Sequence, residues 1–263
     1  PLIVHVADAN QAWTVAVPSP RARRLAEAFW PGPLTLVLPR RACIGDAVTS
    51  GLDTVGVRVP AHPLARGLIR AAGVPVAAPS ANRFGRISPT TADHVREQLG
   101  DAIAGIVDGG PCAVGVESTV LCPDPSPIIL RPGGVSREAL AACLGEAVAV
   151  ADTTGRAQHL PAQAPGMLAS HYAPRVPLHL RGEEPWPTVP AIGRLAFRAV
   201  PPAGGPTEIL SPSGDLAEAA MHLFAALRRL DASGVTAIVA ETVPDHGLGL
   251  AINDRLRRAA GLG

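Results

Sequence analysis

Along the first 150 residues, short apolar runs alternate with segments whose apolar positions recur every three or four residues. Pro1 to Val6, Leu34 to Leu38, Val55 to Val59, Pro75 to Ala78, Ser118 to Leu121 and Ile128 to Leu130 are rich in apolar or β-branched residues and bounded by Pro, Gly or polar groups, which predicts strands. The same reading predicts a strand over Ile103 to Val107. In Thr54 to Pro60, period-two alternation sends Val55, Val57 and Val59 to the core and Thr54, Gly56 and Arg58 to the other face. Ser19-Pro20 before Arg21 to Phe29 supplies an N-cap and a proline at the first helical position. Leu64 to Ala72 reads as a helix ended by Gly73, and Ser88-Pro89-Thr90-Thr91 as the start of one that reaches Leu99 and stops at Gly100. Ser136 caps a closing helix to Leu144.

Residues 150–174 lose this periodicity and are rich in Ala, Pro, Gln and Thr, as a linker would be. Beyond them, Val176 to Leu180, Arg194 to Phe197 and Ala237 to Val239 predict strands, and Leu216 to Leu230 and Leu250 to Ala260 amphipathic helices. The expected organisation is therefore a domain over 1–148, a linker over 149–174 and a small α/β domain with a partly parallel sheet over 175–263. The opening Pro1-Leu2-Ile3-Val4-His5-Val6 reads as a strand already under way, from which an absent upstream portion is expected.

Composition narrows the chemistry. The chain of 263 residues is 47% apolar with net charge +1, which fits a cored globular protein and gives no electrostatic case for nucleic acid or membrane at whole-chain level. Every basic residue is Arg, and the absence of Lys excludes a Walker-type phosphate loop in these residues. Phosphate must be met by Arg, hydroxyls and backbone N–H groups. Cys43, Cys112, Cys122 and Cys143 form no C-x-x-C pair and no cluster with zinc spacing, so reduced cytosolic thiols are expected. No apolar run has membrane-spanning length and no signal peptide is evident.

Several local features could carry chemistry, each with an ordinary structural alternative. Ser80 and Asn82 follow a strand end, where α/β folds place ligands, yet Ser and Asn also simply close turns. Ser88 could open an anion-binding helix N-terminus or merely cap it. Arg58 and Arg131, at strand ends, could clamp a carboxylate or phosphate or lie on the surface. Glu117-Ser118-Thr119 sets hydroxyls beside a carboxylate. His5 could touch a ligand or be an edge residue, and Tyr172, beside His171, could fold back on a site. No nucleophile triad is visible, and His94 has no obvious partner.

Taken in order, Phe29-Trp30-Pro31-Gly32-Pro33-Leu34-Thr35-Leu36-Val37-Leu38, Val57-Arg58-Val59-Pro60, Ala78-Pro79-Ser80-Ala81-Asn82, Ser88-Pro89-Thr90-Thr91, Glu117-Ser118-Thr119-Val120 and Leu130-Arg131-Pro132-Gly133 resemble the YrdC-like domain of L-threonylcarbamoyl-AMP synthases. Pro165-Gly166-Met167 with His171-Tyr172-Ala173-Pro174 resembles the linker of that family's two-domain form, and Gly247 to Leu256 is similar to the close of its C-terminal domain. The resemblance implies a YrdC-like twisted mixed sheet with flanking helices, then a small Rossmann-like α/β domain. It implies an enzyme, a nucleotidyltransferase that condenses L-threonine, bicarbonate and ATP with Mg²⁺ to threonylcarbamoyl-AMP and pyrophosphate. The product feeds a downstream tRNA threonylcarbamoyltransferase that modifies position 37, in the cytoplasm.

By the same resemblance His5, Arg58, Ala78 (through its backbone) and Ser118 hold L-threonine, and Thr54, Ser80, Asn82, Ser88, Arg131 and Tyr172 hold ATP. Tyr172 would set the linker over the site as a water-excluding lid. The family carries a Lys-x-Arg element and a Thr-rich strand upstream of the segment matching Pro1 to His5; the expectation is that this chain lacks them and is inactive alone, the intact protein being active. Two rivals are a carbamoyl-adenylate enzyme of another pathway, whose attached modules the C-terminal residues do not resemble, and an RNA-binding module. Near-neutral charge and an aromatic content of 3% argue against the latter.

Overall fold

The computed structural model describes residues 1–151, 171–200 and 204–262. Its strands are β1 (Ile3–His5), β2 (Leu34–Pro39), β3 (Thr54–Arg58), β4 (Val76–Ala78), β5 (Thr119–Cys122), β6 (Ile128–Arg131), β7 (Ala149–Val150), β8 (Leu178–Leu180), β9 (Ile192–Ala196), β10 (Thr207–Ile209) and β11 (Ala237–Ala240). Its helices are α1 (Ala9–Val15), α2 (Pro20–Phe29), α3 (Asp46–Thr49), α4 (Pro63–Ala72), α5 (Ala92–Leu99), α6 (Arg137–Leu144), α7 (Leu216–Ala232) and α8 (Gly249–Ala259). Two compact units result: residues 1–79 with 117–151, and residues 80–116 with the described residues beyond 170. The segment Pro165-Gly166-Met167 and most of the expected linker lie outside the described residues.

The first unit is built on a seven-stranded mixed sheet in the order β4-β1-β3-β2-β5-β6-β7. β1 runs parallel to β3 and β2 to β5, while β2–β3, β1–β4 and β5–β6 are antiparallel. One face is a continuous apolar layer of Val4, Val57, Leu34, Leu36, Leu38, Leu121 and Ile129, packed with Ala12 and Val15 of α1, Leu25 and Ala26 of α2 and Leu140 and Leu144 of α6. The alternation expected for Thr54 to Arg58 holds, with Val55 and Val57 buried and Thr54, Gly56 and Arg58 half-buried. The caps also follow the sequence. Ser19 accepts from the Ala22 N–H and Ser136 from the Ala139 N–H, and Gly73 closes α4 at φ +70°.

The second unit carries a four-stranded, all-parallel sheet in the order β10-β9-β11-β8. Helix α7 buries Ala219, Ala220, Leu223, Phe224, Ala226, Leu227 and Leu230 in one core with Leu195, Ile238, Ile252 and Leu256. Burying each large side chain contributes ~1.5–3 kcal/mol, against ~1 kcal/mol for a cap such as Asp215, so packing holds this helix. Ile87, Val116 and Tyr172 belong to the same core, which ties residues 80–116 to this unit. Arg228 of α7 adds polar anchors by donating to the carbonyls of Ile87 (2.7 Å) and Ser88 (3.3 Å).

Two local expectations are corrected. Helix α5 begins at Ala92, capped by Thr91 rather than Ser88, because the Arg228 anchors and a Cys112 N–H to Thr90 carbonyl bond (2.9 Å) hold 87–90 outside the helix. Residues 103–107 form no strand. Only Ile103 and Ile106 are half-buried, three apart, a spacing that gives a strand no buried face, and Val107 is 67% exposed.

Asn253 of α8, 2% exposed, accepts from the Val243 N–H (2.9 Å) and donates to the Val243 carbonyl (2.8 Å), so it latches the 241–248 loop at both backbone groups. Asn253→Ala is expected to lower stability by ~1–3 kcal/mol, because both backbone groups lose a buried partner. Urea denaturation of the purified variant checks this; an unchanged midpoint would contradict it.

Candidate active site

Residues paired across neighbouring strands point to the same side of a sheet. Here His5 pairs with Arg58 and with Val76, Ile3 with Gly56 and with Ala78, and Val37 with Gly56. Thr35 lies two residues from Val37 and pairs with Val120, two residues after Ser118. The face opposite the helix-packed layer therefore carries His5, Arg58, Thr35 and Ser118 in a row across four adjacent chain segments, with Arg131 paired to Val120 beyond them.

Each member of the row is fixed. Arg58 Nε donates to the Gly32 carbonyl at 3.0 Å, while the Gly32 N–H donates to the Val59 carbonyl at 2.9 Å. This double tie holds the Pro31-Gly32-Pro33 turn against the end of β3 and sets the plane of the guanidinium. His5 is held well below its ordinary value, at about 4, chiefly by burial and secondly by Arg58, with the Ile3 and Val76 backbone offsetting part of the effect. Its imidazole is neutral at physiological pH, which leaves Arg58 as the charge at this end of the row.

At the other end Ser118 is 3% and Arg131 4% exposed. The Arg131 guanidinium donates to the Ser118 carbonyl (2.9 Å) and to Ser118 Oγ (3.2 Å), and Ser118 Oγ lies 2.8 Å from Thr35 Oγ1. Gly133 closes the turn after β6: a Cβ there would meet Ser118 C and Thr119 N at 2.4 Å, so only glycine permits this backbone approach. Thr119, the other hydroxyl of its motif, is used structurally, accepting from the Val135 N–H and donating to the Val135 carbonyl.

The expected threonine-site residues His5, Arg58, Ala78 and Ser118 thus share one sheet face of the first unit, with Thr54 at the start of β3 and Arg131 beside Ser118. Thr35 is the member that sequence reasoning missed. Its signal was a lone hydroxyl in an apolar strand, on the parity of Val37 rather than of Leu36.

Ser80, Asn82, Ser88 and Tyr172 belong to the second unit. Asn82 Nδ2 donates to the carbonyls of Arg83 (2.8 Å) and Arg86 (3.3 Å), the turn chemistry its type allows, while its buried Oδ1 finds no partner among the described residues. Ser80 is exposed and Ser88 buried. Tyr172 has φ +64° and is 1% exposed; its ring packs against Phe224 (5.5 Å) and His171 (4.1 Å), under the Arg255 guanidinium at 5.2 Å. Ala173 N–H donates to the Gly85 carbonyl (2.8 Å), so the His171-Tyr172-Ala173 segment is stitched to the Asn82–Arg86 turn. His94 has a partner after all, its Nδ1 lying 3.2 Å from both the Thr90 N–H and hydroxyl.

Residues 1–133 match the family of Sua5, YciO and YrdC domains, described as "Telomere recombination", and residues 135–261 match the threonylcarbamoyl-AMP synthase C-terminal domain. The threonylcarbamoyl-AMP synthase of Bacillus subtilis is 43% identical over 99% of this chain and 79% of its own length, and that of Pyrococcus abyssi 40% identical over 99% and 80%. The crystal structure of Pyrococcus abyssi Sua5 complexed with L-threonine aligns over 100% of this chain and 80% of that one, with a TM-score of 0.88 at 37% identity. The chain belongs to the threonylcarbamoyl-AMP synthase family, in its two-domain form.

Proposed function

We propose that the row His5–Arg58–Thr35–Ser118 binds L-threonine, and that the protein condenses it with bicarbonate and ATP to threonylcarbamoyl-AMP and pyrophosphate. The observation that carries this reading is one charged guanidinium and a buried hydroxyl pair on a single rigid sheet face, beside a neutral imidazole. An α-amino acid offers a carboxylate, an amine and, in threonine, a hydroxyl. Arg58 suits the carboxylate, because a guanidinium held in plane pairs with it bidentately. Ser118 suits a polar group of the same ligand, and a neutral His5 does not repel the ammonium end.

The chemistry asks for alignment rather than a protein nucleophile. The threonine amine takes up carbon from bicarbonate with loss of water, giving an N-carboxylate. One of its oxygens then attacks the α-phosphorus of ATP, and the bond to the bridging oxygen breaks as pyrophosphate leaves. Holding the two reactants in register removes most of the entropic barrier, and fixed donors stabilise the phosphoryl charge. We assign ATP to Thr54, Ser80, Asn82, Ser88, Arg131 and Tyr172 by family resemblance. Among the described residues no three His, Cys, Asp or Glu side chains converge, so the protein offers no ready cage for a divalent ion. Mg²⁺ fits better as a companion of the nucleotide phosphates, the usual habit of an ion that keeps its waters.

In this reading the product supplies a tRNA threonylcarbamoyltransferase acting at position 37 in the cytoplasm. No helix among the described residues is long and apolar enough to cross a membrane.

The full-length protein is expected to release pyrophosphate from ATP only when L-threonine and bicarbonate are both present. Equal release without threonine, in a coupled pyrophosphate assay, would overturn the reading. A second expectation concerns pH. Between its ordinary 6.5 and about 4, His5 binds a proton in the unfolded chain but not in the folded one, so its contribution to stability falls as pH drops through that window. Thermal melts from pH 7 to 4.5 should therefore fall less steeply for His5→Gln than for the wild type; parallel slopes would contradict the buried neutral imidazole.

A further inference from the structure

Thr35 does more than fill the row. It is fully buried, and the one hydrogen-bond partner of its hydroxyl among the described residues is Ser118, at 2.8 Å between hydroxyl oxygens. Ser118 Oγ also receives the Arg131 guanidinium, which can only donate, at 3.2 Å. Either orientation leaves one of the two hydroxyl protons unpaired in the free protein. If Ser118 donated to Thr35, the Thr35 proton would be left buried with no acceptor, an expensive arrangement. If Thr35 donates to Ser118, which also accepts from Arg131, the unpaired proton is that of Ser118, the less enclosed of the two at 3% exposed, where a bound ligand can accept it.

The orientation of Thr35 is itself constrained. A β-branched side chain on a strand is stiff about χ1. A Cβ at Gly56 on the neighbouring strand would lie 3.2 Å from Thr35 Cγ2, so glycine leaves just enough room for that methyl group. With the methyl seated over Gly56, the hydroxyl is turned to Ser118. On the far side Gly133 presses the 131–134 turn against the Ser118 backbone, so Ser118 cannot drift away from either neighbour.

We propose that Thr35 is a positioning residue: by donating to Ser118 it makes the Ser118 hydroxyl an obligatory donor toward the bound amino acid, so the site selects a ligand that presents an acceptor oxygen there. This rests on the reading of Ser118 as a threonine contact. It goes beyond that reading by naming the residue that sets the polarity of the contact and the ligand chemistry it selects.

The test is a mutant cycle on the full-length protein, read as the KM for L-threonine, the KM for ATP and kcat in pyrophosphate release. Thr35→Val keeps the shape and removes the donor, and is expected to raise the threonine KM about five- to tenfold, the loss of one hydrogen bond. The ATP KM should change by about twofold at most, because the Thr35 hydroxyl bonds none of the residues assigned to ATP. Thr35→Ser, which keeps the donor, should restore threonine use. Ser118→Ala should weaken threonine use on its own, and adding Thr35→Val to it should cost nothing more, because the two act as one unit. Full additivity, or equal losses for Thr35→Val and Thr35→Ser, would overturn the relay and leave Thr35 as mere packing. If Ser118→Ala itself leaves the threonine KM unchanged, the reading of Ser118 fails, a distinct outcome. Melting curves on each variant separate misfolding from misdirected binding: a Thr35→Val protein that melts with the wild type yet loses threonine affinity supports the proposal.

Discussion

The first unit depends on one constraint, the two-sidedness of its central strands. Because side chains alternate across a sheet, the register that buries Val55, Val57, Leu34, Leu36 and Leu38 under α1, α2 and α6 obliges Arg58 and Thr35 to face the other way. A slip of one residue between β2 and β3 would send either the arginine into the apolar layer or the leucines to the polar face. The hydrophobic burial that stabilises the sheet therefore also fixes the spacing of the polar row, and the site inherits its precision from the core.

That arrangement explains the economy of the chemistry. Arg58 and Arg131 bracket the hydroxyl pair of the row, and each is tied to a backbone carbonyl, that of Gly32 and of Ser118 respectively. Between them stand the Thr35 and Ser118 hydroxyls, and the neutral His5 imidazole lies on the other side of Arg58. Such a surface can recognise an amino acid by its carboxylate and polar side chain and hold it still. It has no need to form a covalent bond to the substrate, in keeping with a reaction in which carboxylation and adenylyl transfer take place between bound reactants.

Much of this was legible in the sequence. The period-two valines of β3 placed Arg58 correctly, and the Ser19 and Ser136 caps and the Gly73 stop were readable because each acts within one turn of its helix. Thr35 was not legible, since Leu34 to Leu38 reads as an unbroken buried strand and only pairing with β3 and β5 shows which face the hydroxyl takes. The Ser88 cap failed for a related reason: Arg228, 140 residues away in sequence, holds its carbonyl and overrides the local capping preference. Helix α1, without a proline or glycine to mark its ends, gave no boundary signal even though Asp8 caps it. The membership of residues 80–116 in the second unit arises from long-range packing of Ile87 and Val116 that no local pattern encodes.

In the proposed reaction Arg58, fixed by the Gly32 carbonyl, takes the carboxylate of L-threonine. Isothermal titration of L-threonine into the full-length protein and its Arg58→Ala variant tests it most directly. Loss of a charge-assisted pair should weaken threonine binding by at least about tenfold, while ATP binding, titrated separately, stays close to that of the wild type. Unchanged threonine affinity in a variant that still melts cooperatively would contradict it.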